Sequence, residues 1–169
     1  DISFHKRHMT LTGITQNELE TYFDEEIKLQ ANENEMTTVA LKAIIKRWYN
    51  GYSWDGKTFL YNPYSLLAYF DFGEFKNFWF ETGTPTFLLR LMEKQKMVKV
   101  ENLEVGEVTF SSYSIKHLQL IPLLFQTGYL TIKEKKSRDL YLLDYPNLEV
   151  RASLLQNIIG FLRHDDYSY

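Results

Sequence analysis

The chain has 169 residues, of which 44% are hydrophobic and 16% aromatic, so it can bury a sizeable core and is expected to fold as a globular protein. Its formal net charge of −3 argues against a protein whose main task is to hold phosphate backbones, although it leaves room for a local basic patch. Cysteine is absent, which excludes disulfides, thiolate nucleophiles and cysteine zinc sites and favours a cytoplasmic location. No apolar run reaches the roughly 18 residues of a membrane span, so we expect no membrane partner. The first residue is Asp1 rather than Met, which predicts a piece of a longer protein.

The first predicted helix begins after Thr15. Thr15 and Glu18 have the T-x-x-E spacing of a capping box, in which each side chain satisfies a backbone N–H of the other residue. Apolar residues then recur at helical spacing and predict the inward stripe of this helix: Leu19, Tyr22, Phe23 and Ile27. We expect the helix to end at the polar segment 31–35, "ANENE".

A second helix is predicted from another apolar stripe: Met36, Val39, Ala40, Ile44 and Trp48. We expect this helix to end at Asn50-Gly51, where glycine can adopt the left-handed conformation that stops a helix. Asp55-Gly56 then predicts a turn beside a short extended segment.

Two further helices are predicted from a capping residue followed by proline. Asn62-Pro63 has this pattern before "YSLLAYF", and Thr84-Pro85 has it before "TFLLRLMEKQK". In the second of these helices we expect three residues to face inward: Phe87, Leu88 and Leu91.

The pattern changes past Lys99. "IKHLQLIPLLFQTG" predicts a helix that Pro122 kinks and Gly128 ends, and "YLTIK" and "LYLLD" flank a polar turn and predict a hairpin. A helix that leads into a two-stranded hairpin is how a winged-helix unit ends. "YPNLEVRASLLQNIIGFL" predicts a last amphipathic helix, followed by the polar tail "RHDDYSY". We therefore predict a mainly α fold, with a helical region at 1–99 and a winged-helix-like region with a small β-hairpin at 100–169.

Motifs of self-contained catalysis are absent from the sequence. It has no G-x-x-x-x-G-K-[ST] or G-x-G-x-x-G loop to cradle phosphate, and neither G-x-S-x-G nor H-E-x-x-H occurs. We therefore expect no catalytic residues and no cofactor in this chain.

Candidate metal ligands are few. His5 and His8 have helical spacing but lack a carboxylate partner, and His164 lies with Asp165 and Asp166 in the predicted tail, so we expect no metal site. Two Glu-x-Lys triplets, at 74–76 and 134–136, match part of a PD-(D/E)XK nuclease site. That chemistry needs them on a core strand, and we predict that neither triplet forms a nuclease site.

Nucleic acid and nucleotide contacts are two alternatives for the second region. A basic hairpin tip could touch a phosphate backbone as the wing of a DNA-binding domain, through Lys133, Lys135, Lys136 and Arg138. A solvated turn is the more frequent explanation of such a short charge run. His117 could point at a nucleotide bound by a neighbouring domain, although a partly exposed helix histidine is the commoner outcome.

Aromatic residues cluster around the turns at Gly51, Gly56 and Gly83. They include Trp48, Tyr49, Tyr52, Trp54, Phe59, Tyr61, Tyr64, Phe75, Phe78, Trp79 and Phe80. Exposed aromatics of this kind could stack on sugars, bases or a protein partner. Small helical domains also use Trp and Tyr to fill the core, and core packing is the default here because no set of acids or amides converges on them.

Three aromatic motifs carry a resemblance to a known family. "WYNGY" at 48–52, "YNPYS" at 61–65 and "FWFETGTPTFL" at 78–88 resemble motifs in the C-terminal region of the AAA-ATPase-like family of bacterial proteins. "LTGITQNELETYF" is similar to a helix start upstream of them in that family. "LLFQTGYLTIKE" and "YPNLEVRASLLQNII" resemble its closing segment, so the resemblance covers nearly the whole chain.

This resemblance implies a parent protein with an N-terminal P-loop ATPase domain that uses ATP and Mg²⁺, and usually a C-terminal PD-(D/E)XK nuclease-like domain. Neither the Walker motifs nor the nuclease core lies in these residues, so no catalytic residue of the family can be assigned here. The resemblance implies a helical lid followed by a winged-helix unit. Such domains close over nucleotide bound elsewhere and pass its state to an effector domain. A DNA-binding module and a protein-interaction surface are the alternatives.

Overall fold

The computed structural model describes residues 10–79, 86–96, 99–107, 109 and 119–165. The helices within these residues are α1 (Gln16–Tyr22), α2 (Asp24–Glu33), α3 (Thr38–Tyr49), α4 (Pro63–Phe72), α5 (Thr86–Lys94), α6 (Leu120–Gln126) and α7 (Leu148–Asp165). The strands are β1 (Asn50–Tyr52), β2 (Leu60–Tyr61), β3 (Leu103–Gly106), β4 (Thr131–Lys135) and β5 (Leu140–Asp144). The prediction of a mainly helical fold with a small hairpin is confirmed.

The strands form two small antiparallel sheets. β1 pairs with β2, and β3, β5 and β4 form a second sheet with β5 in the middle. The predicted hairpin is therefore β4–β5, with a bulge between Ile132 and Glu134. Glu134, expected in the turn, lies in β4. The pairing of Leu103 with Leu143 puts β3 on the other side of β5, which the sequence pattern did not predict.

The first predicted helix is two helices. The capping box is confirmed, because the Thr15 N–H donates to Glu18 Oε2 over 2.8 Å and the Glu18 N–H donates to Thr15 Oγ1 over 3.2 Å. The helix breaks at Phe23, whose ring stacks on Phe70 at 5.1 Å between ring centroids, and α2 then ends at Glu33, within the predicted stop at 31–35. Because the break shifts the helical stripe, Tyr22 is 73% exposed and its predicted inward position is wrong.

The inward face of α3 is shifted from the predicted stripe. The buried residues are Leu41, Ile45 and Tyr49, whereas Val39 is 72% exposed. The core is therefore contacted by the stripe next to the predicted one. Helical periodicity alone does not show which of two neighbouring apolar stripes faces inward. Gly51 is not the helix cap that we predicted, because α3 passes directly into β1 and Gly51 lies within that strand with φ +128°.

The capped start of α4 is confirmed. The Asn62 side-chain oxygen accepts the N–H groups of Tyr64 and Ser65 over 2.9 and 3.3 Å, and Pro63 occupies the first helical position. In α5, Leu88 is buried as predicted, but Phe87 is 54% exposed, so its predicted inward position is wrong. The pair predicted to start α5, at 84–85, lies outside the described residues.

Pro122 does not kink α6 within the described residues. The helix begins at Leu120, so Pro122 lies in its first turn, where backbone N–H groups need no helical acceptor. Gly128 ends the helical turn with φ +81°, as predicted. The last helix is longer than predicted: α7 continues to Asp165, so the backbone of His164 and Asp165 is helical rather than part of a tail. Asp166 lies outside the described residues.

Two hydrophobic clusters organise the fold. The first cluster is built from α1–α4, β2 and the segment after α4, and its buried members include Leu19, Leu41, Ile45, Tyr49, Tyr61, Leu66, Tyr69 and Phe78. The second cluster is built from α5, the three-stranded sheet, α6 and α7, and includes Leu88, Val100, Leu120, Leu124, Ile132, Leu143, Val150 and Leu154. α5 thus contributes to the second cluster although it precedes residue 100. The division into 1–99 and 100–169 stays a prediction.

Within the described residues, no helix combines the length and the apolar character that crossing a membrane requires.

Candidate functional site

The candidate site lies where the two clusters meet. We call this region the seam and define it by six residues: Tyr52, Ser53, Trp54, Trp79, Thr131 and Glu149. Three of the aromatic residues singled out in the sequence belong to it, and they pack against the second cluster although they come from the first half of the chain.

The loop after β1 folds around the Asp55 carboxylate. Its Oδ1 accepts the N–H groups of Lys57 and Thr58, each over 2.8 Å, and the Ser53 hydroxyl over 3.2 Å. Gly56 has φ +70° and donates its N–H to Ser53 Oγ over 2.9 Å, so the predicted turn is confirmed. Partial burial acts to raise the pKa of Asp55, but these hydrogen bonds outweigh it and lower the pKa.

Two contacts fasten this loop to the second cluster. The Ser53 N–H donates to Thr131 Oγ1 over 2.7 Å, and the same hydroxyl donates back to the Ser53 carbonyl over 3.0 Å. Gly51 lies against Pro146, and a Cβ added to Gly51 would be 1.9 Å from the Pro146 carbonyl oxygen. Only glycine fits there, which places β1 directly against the turn before α7.

Trp54 and Trp79 project into the gap between the clusters. Trp54 packs edge-on against Phe125 at 5.6 Å between ring centroids, and Tyr52 packs edge-on against Trp79 at 5.7 Å. Together Tyr52, Trp54 and Trp79 line two clefts of about 200 and 220 Å³. Phe125 and the turn after α6 close the first cleft, and Tyr61 and Asn62 help to close the second.

Gly128 leaves room for the Trp79 ring because it has no side chain. A Cβ added to Gly128 would lie 2.4 Å from Cη2 of that ring. The glycine that ends α6 therefore also leaves space for the indole. This second role depends on a residue 49 positions earlier in the sequence, so no local pattern shows it.

Glu149 supplies the buried carboxylate of the seam. It is 0% exposed, and its Oε1 accepts the Ser65 hydroxyl over 2.9 Å and the Trp79 N–H over 3.1 Å. Burial raises the pKa of Glu149, and the Trp79 backbone, the Ser65 hydroxyl and the Phe78 backbone, which each lower it, only partly offset that effect. One oxygen thus links α4, the segment before α5, and α7.

The Tyr52 hydroxyl lies in the same buried polar region, beside the side chains of Asn62 and Asn147. Burial first, and the charge of Glu149 second, raise the pKa of Tyr52 well above 10. Tyr52 Oη, Asn147 Nδ2 and Glu149 Oε2 are buried and make no hydrogen bond within the described residues. The polar atoms of the seam are thus shielded from solvent, whereas its aromatic rings line the clefts.

The other aromatic residues of the three sequence motifs, Trp48, Tyr49 and Tyr61, belong to the first cluster. Tyr49 and Tyr61 are fully buried, and their hydroxyls donate to the Lys76 carbonyl over 3.1 Å and to Gln16 Oε1 over 2.7 Å. Trp48 is half-buried and stacks on Phe75 at 5.8 Å. Core packing, the default interpretation of the aromatic residues, therefore holds for Trp48, Tyr49 and Tyr61. Tyr52, Trp54 and Trp79 instead line the clefts.

The basic residues of the hairpin are not all directed towards solvent. Lys133 is half-buried, donates to the Pro146 carbonyl over 2.7 Å and lies over the Phe59 ring. Burial lowers the pKa of Lys133, with Asp144 acting in the opposite direction. Lys136 pairs with Glu104.

Three basic residues of the hairpin lie at its surface, and one of them is Lys136, which pairs with Glu104. Lys135 is exposed and lies over the Tyr141 ring at 5.0 Å, and Arg138 is exposed. DNA contact through this wing stays a prediction.

The histidine sites fall largely outside the described part of the chain. His5, His8 and His117 lie outside it, and only the backbone of His164 is described. No group of three or more histidine, aspartate or glutamate side chains that could hold a metal occurs among the described residues. The proposed nucleotide contact of His117 stays a prediction.

Sequence analysis missed Glu149, Ser65 and Asn147. Glu149 looks like an ordinary acidic residue in the first turn of a helix, where it complements the helix dipole. Its one signal is position: it stands four residues before the buried Ser153, on the edge of the inward stripe of α7.

Comparison with known proteins gives one informative match. The chain is 36% identical over 165 residues to an uncharacterized protein in the vnfD 5' region of Azotobacter chroococcum mcd 1. The match covers 94% of this chain and 30% of that protein, so the chain spans less than a third of its relative. No family model and no solved structure matches the chain.

Proposed function

We propose that this chain is a non-catalytic segment of a larger AAA-like ATPase. In this proposal it closes over nucleotide bound in an ATPase domain outside these residues and couples the nucleotide state to an effector, nuclease-like domain. ATP and Mg²⁺ would bind to the parent protein, in the cytoplasm. The observation that carries the proposal is the position of three motif residues, Tyr52, Trp54 and Trp79, at the seam between the clusters.

The seam fits a coupling role because its contacts are specific. Its hydrogen bonds connect Ser53 to Thr131 and Ser65 to Glu149, and its ring contacts leave two clefts rather than a continuous packed core. Coupling elements need discrete contacts of this kind, because a change at one side can then shift the equilibrium between two arrangements. The length of the relative supports a parent protein with further domains.

The elements after residue 100 support the proposal that this region is a winged-helix unit. α6 leads into the β4–β5 hairpin, and β3 pairs on the other side of β5. A helix followed by a hairpin that joins a third, earlier strand is the arrangement that we expect of a winged-helix unit. The first half, α1–α4 with the β1–β2 pair, would then be the helical lid.

Hydrogen exchange in the full-length parent tests this proposal. We expect a non-hydrolysable ATP analogue with Mg²⁺ to change amide exchange at residues 53–58 and 127–131, on the two sides of the seam. Exchange at 24–33, in α2, serves as the internal reference. An analogue that binds the parent but leaves exchange on both sides of the seam unchanged would contradict the coupling role.

The second candidate function is DNA binding through the wing, which the exposure of Lys135 and Arg138 favours. It predicts salt-dependent binding to duplex DNA that weakens in the Lys135→Ala/Arg138→Ala variant, with a shallower dependence on salt. Lys57→Ala, at an exposed position in the first half, is the matched control. Binding that is absent, or equally strong in all three proteins, would eliminate this candidate.

A further inference from the structure

The carboxyl group of Glu149 joins parts of the chain that belong to different clusters. Glu149 begins α7 in the second cluster, and Ser65 belongs to α4, which packs in the first. The Trp79 N–H comes from the segment between α4 and α5. Loss of the Glu149 contacts would therefore release α4 and this segment from α7 together.

No cation compensates the Glu149 carboxylate within the described residues, where it forms no salt bridge. The titratable groups that interact with it electrostatically are Tyr49 on α3 and Tyr52 on β1. α4 contributes the Ser65 hydroxyl, and the segment before α5 contributes backbone N–H groups.

The other charged groups on the surrounding elements are engaged elsewhere or exposed. On β4, Lys133 donates to the Pro146 carbonyl, and on α7 Arg151 pairs with Glu101. The remaining charges on α3 and α4 lie at or near the surface, at Lys42, Lys46, Arg47 and Asp71. The carboxylate therefore has hydrogen bonds but no opposite charge among these groups.

The two oxygens of Glu149 have different surroundings. Oε1 accepts two hydrogen bonds, whereas Oε2 is buried without a hydrogen bond from the described residues. An ionised carboxyl would leave a charged oxygen buried without a partner, which is costly. A neutral carboxyl can carry its proton on Oε2 and still accept both bonds at Oε1.

We propose that Glu149 is a proton-controlled latch, which holds the two clusters together when its carboxyl group is neutral and loosens the seam when the group ionises. The raised pKa of Glu149, caused mainly by burial, agrees with this geometry. Because the folded pKa lies above the ordinary 4.5, the stabilisation is complete below 4.5 and is lost as the pH rises through the folded pKa. The latch does not depend on the proposed ATPase context.

Exchange of the Trp79 amide, measured by NMR and corrected for intrinsic exchange, tests the latch in the chain itself. Between pH 4.5 and the folded pKa of Glu149, we expect its protection to fall about tenfold per pH unit and then to level off. Glu149→Gln keeps an acceptor oxygen and the side-chain size but cannot ionise, so its protection should not vary with pH. Glu134→Gln, at an exposed position of β4, should behave like the wild type.

The latch is overturned if protection of the Trp79 amide depends on pH equally in the wild type and in Glu149→Gln. It is also overturned if this protection is constant in the wild type. If Glu149→Gln does not fold, the midpoint of the pH titration of the Glu149 carboxyl ¹³C resonance is measured in the wild type instead. A midpoint above pH 4.5, accompanied by a shift of the Trp79 amide at the same midpoint, supports the latch. A midpoint at or below 4.5, or an amide that does not respond, contradicts it.

Discussion

Gly51 and Pro146 lie in direct backbone contact, so close that a Cβ on Gly51 would be 1.9 Å from the Pro146 carbonyl oxygen. The φ angle of Gly51, +128°, is also one that other residues rarely adopt. We therefore expect Gly51→Ala to lower the free energy of unfolding by about 2–4 kcal/mol, measured by urea denaturation.

Gly160→Ala is the matched control for Gly51→Ala. Gly160 lies in α7, and a Cβ there would meet no atom within 4 Å. Alanine favours the helix, so this variant should gain about 0.5–1 kcal/mol. Equal stability of the two variants would show that the contact between Gly51 and Pro146 is wrong.

The hydroxyl of Thr131 satisfies both backbone groups of Ser53. Thr131→Val keeps the shape of the side chain but leaves a buried N–H and a buried carbonyl without partners, so we expect a loss of about 2–4 kcal/mol. Thr131→Ser, which keeps the hydroxyl, should lose less. Thr127→Val, at an exposed position after α6, should change stability by about 0.5 kcal/mol or less. If Thr131→Val loses no more stability than Thr127→Val, the contact between Thr131 and Ser53 is contradicted.

The phenol of Tyr69 should lose its proton at a higher pH than an ordinary tyrosine does. Burial first, and the charge of Glu33 second, raise the pKa of Tyr69 to about 12. Since the proton is held more tightly in the folded chain, the contribution of Tyr69 to stability is complete below pH 10 and is lost as the pH rises towards about 12. In an ultraviolet titration, Tyr69→Phe should remove one phenolate that forms near pH 12. Loss of a phenolate that forms near pH 10 would contradict the burial of Tyr69.

The tryptophan emission distinguishes packing from an open interaction surface. Trp48, Trp54 and Trp79 are all half-buried, so we expect emission that is blue-shifted from the denatured chain and only partly quenched by acrylamide. The protein-interaction hypothesis requires exposed rings, and it predicts red-shifted, fully quenchable emission instead. Trp54→Phe and Trp79→Phe, measured separately, identify the contribution of each ring to the emission.

Local signals correctly predicted two helix starts, a turn and a hairpin. The capping box at Thr15, the start of α4 at Asn62-Pro63 and the turn at Asp55-Gly56 are correct because neighbouring residues complete the hydrogen bonds. The β4–β5 hairpin is correct for the same reason.

Features that depend on distant partners could not be predicted. The inward face of α3 and the exposure of Tyr22 follow from tertiary packing, which a hydrophobic period leaves undetermined. The need for glycine at 51 follows from Pro146, and the burial of Glu149 follows from Ser65 and Trp79. The hydrogen bonds of the seam join residues far apart in the sequence, 78 positions for Ser53 with Thr131 and 84 for Ser65 with Glu149. The sequence therefore shows the aromatic residues of the seam but not how they are arranged.

The proposal that this chain has no catalytic centre of its own is tested most directly by assaying the purified chain for ATP hydrolysis in the presence of Mg²⁺. We expect no phosphate release above that of buffer, because the sequence contains no phosphate-binding loop. ATP turnover by the purified chain that disappears on substitution of one of its own residues, such as Glu149→Gln, would contradict the proposal.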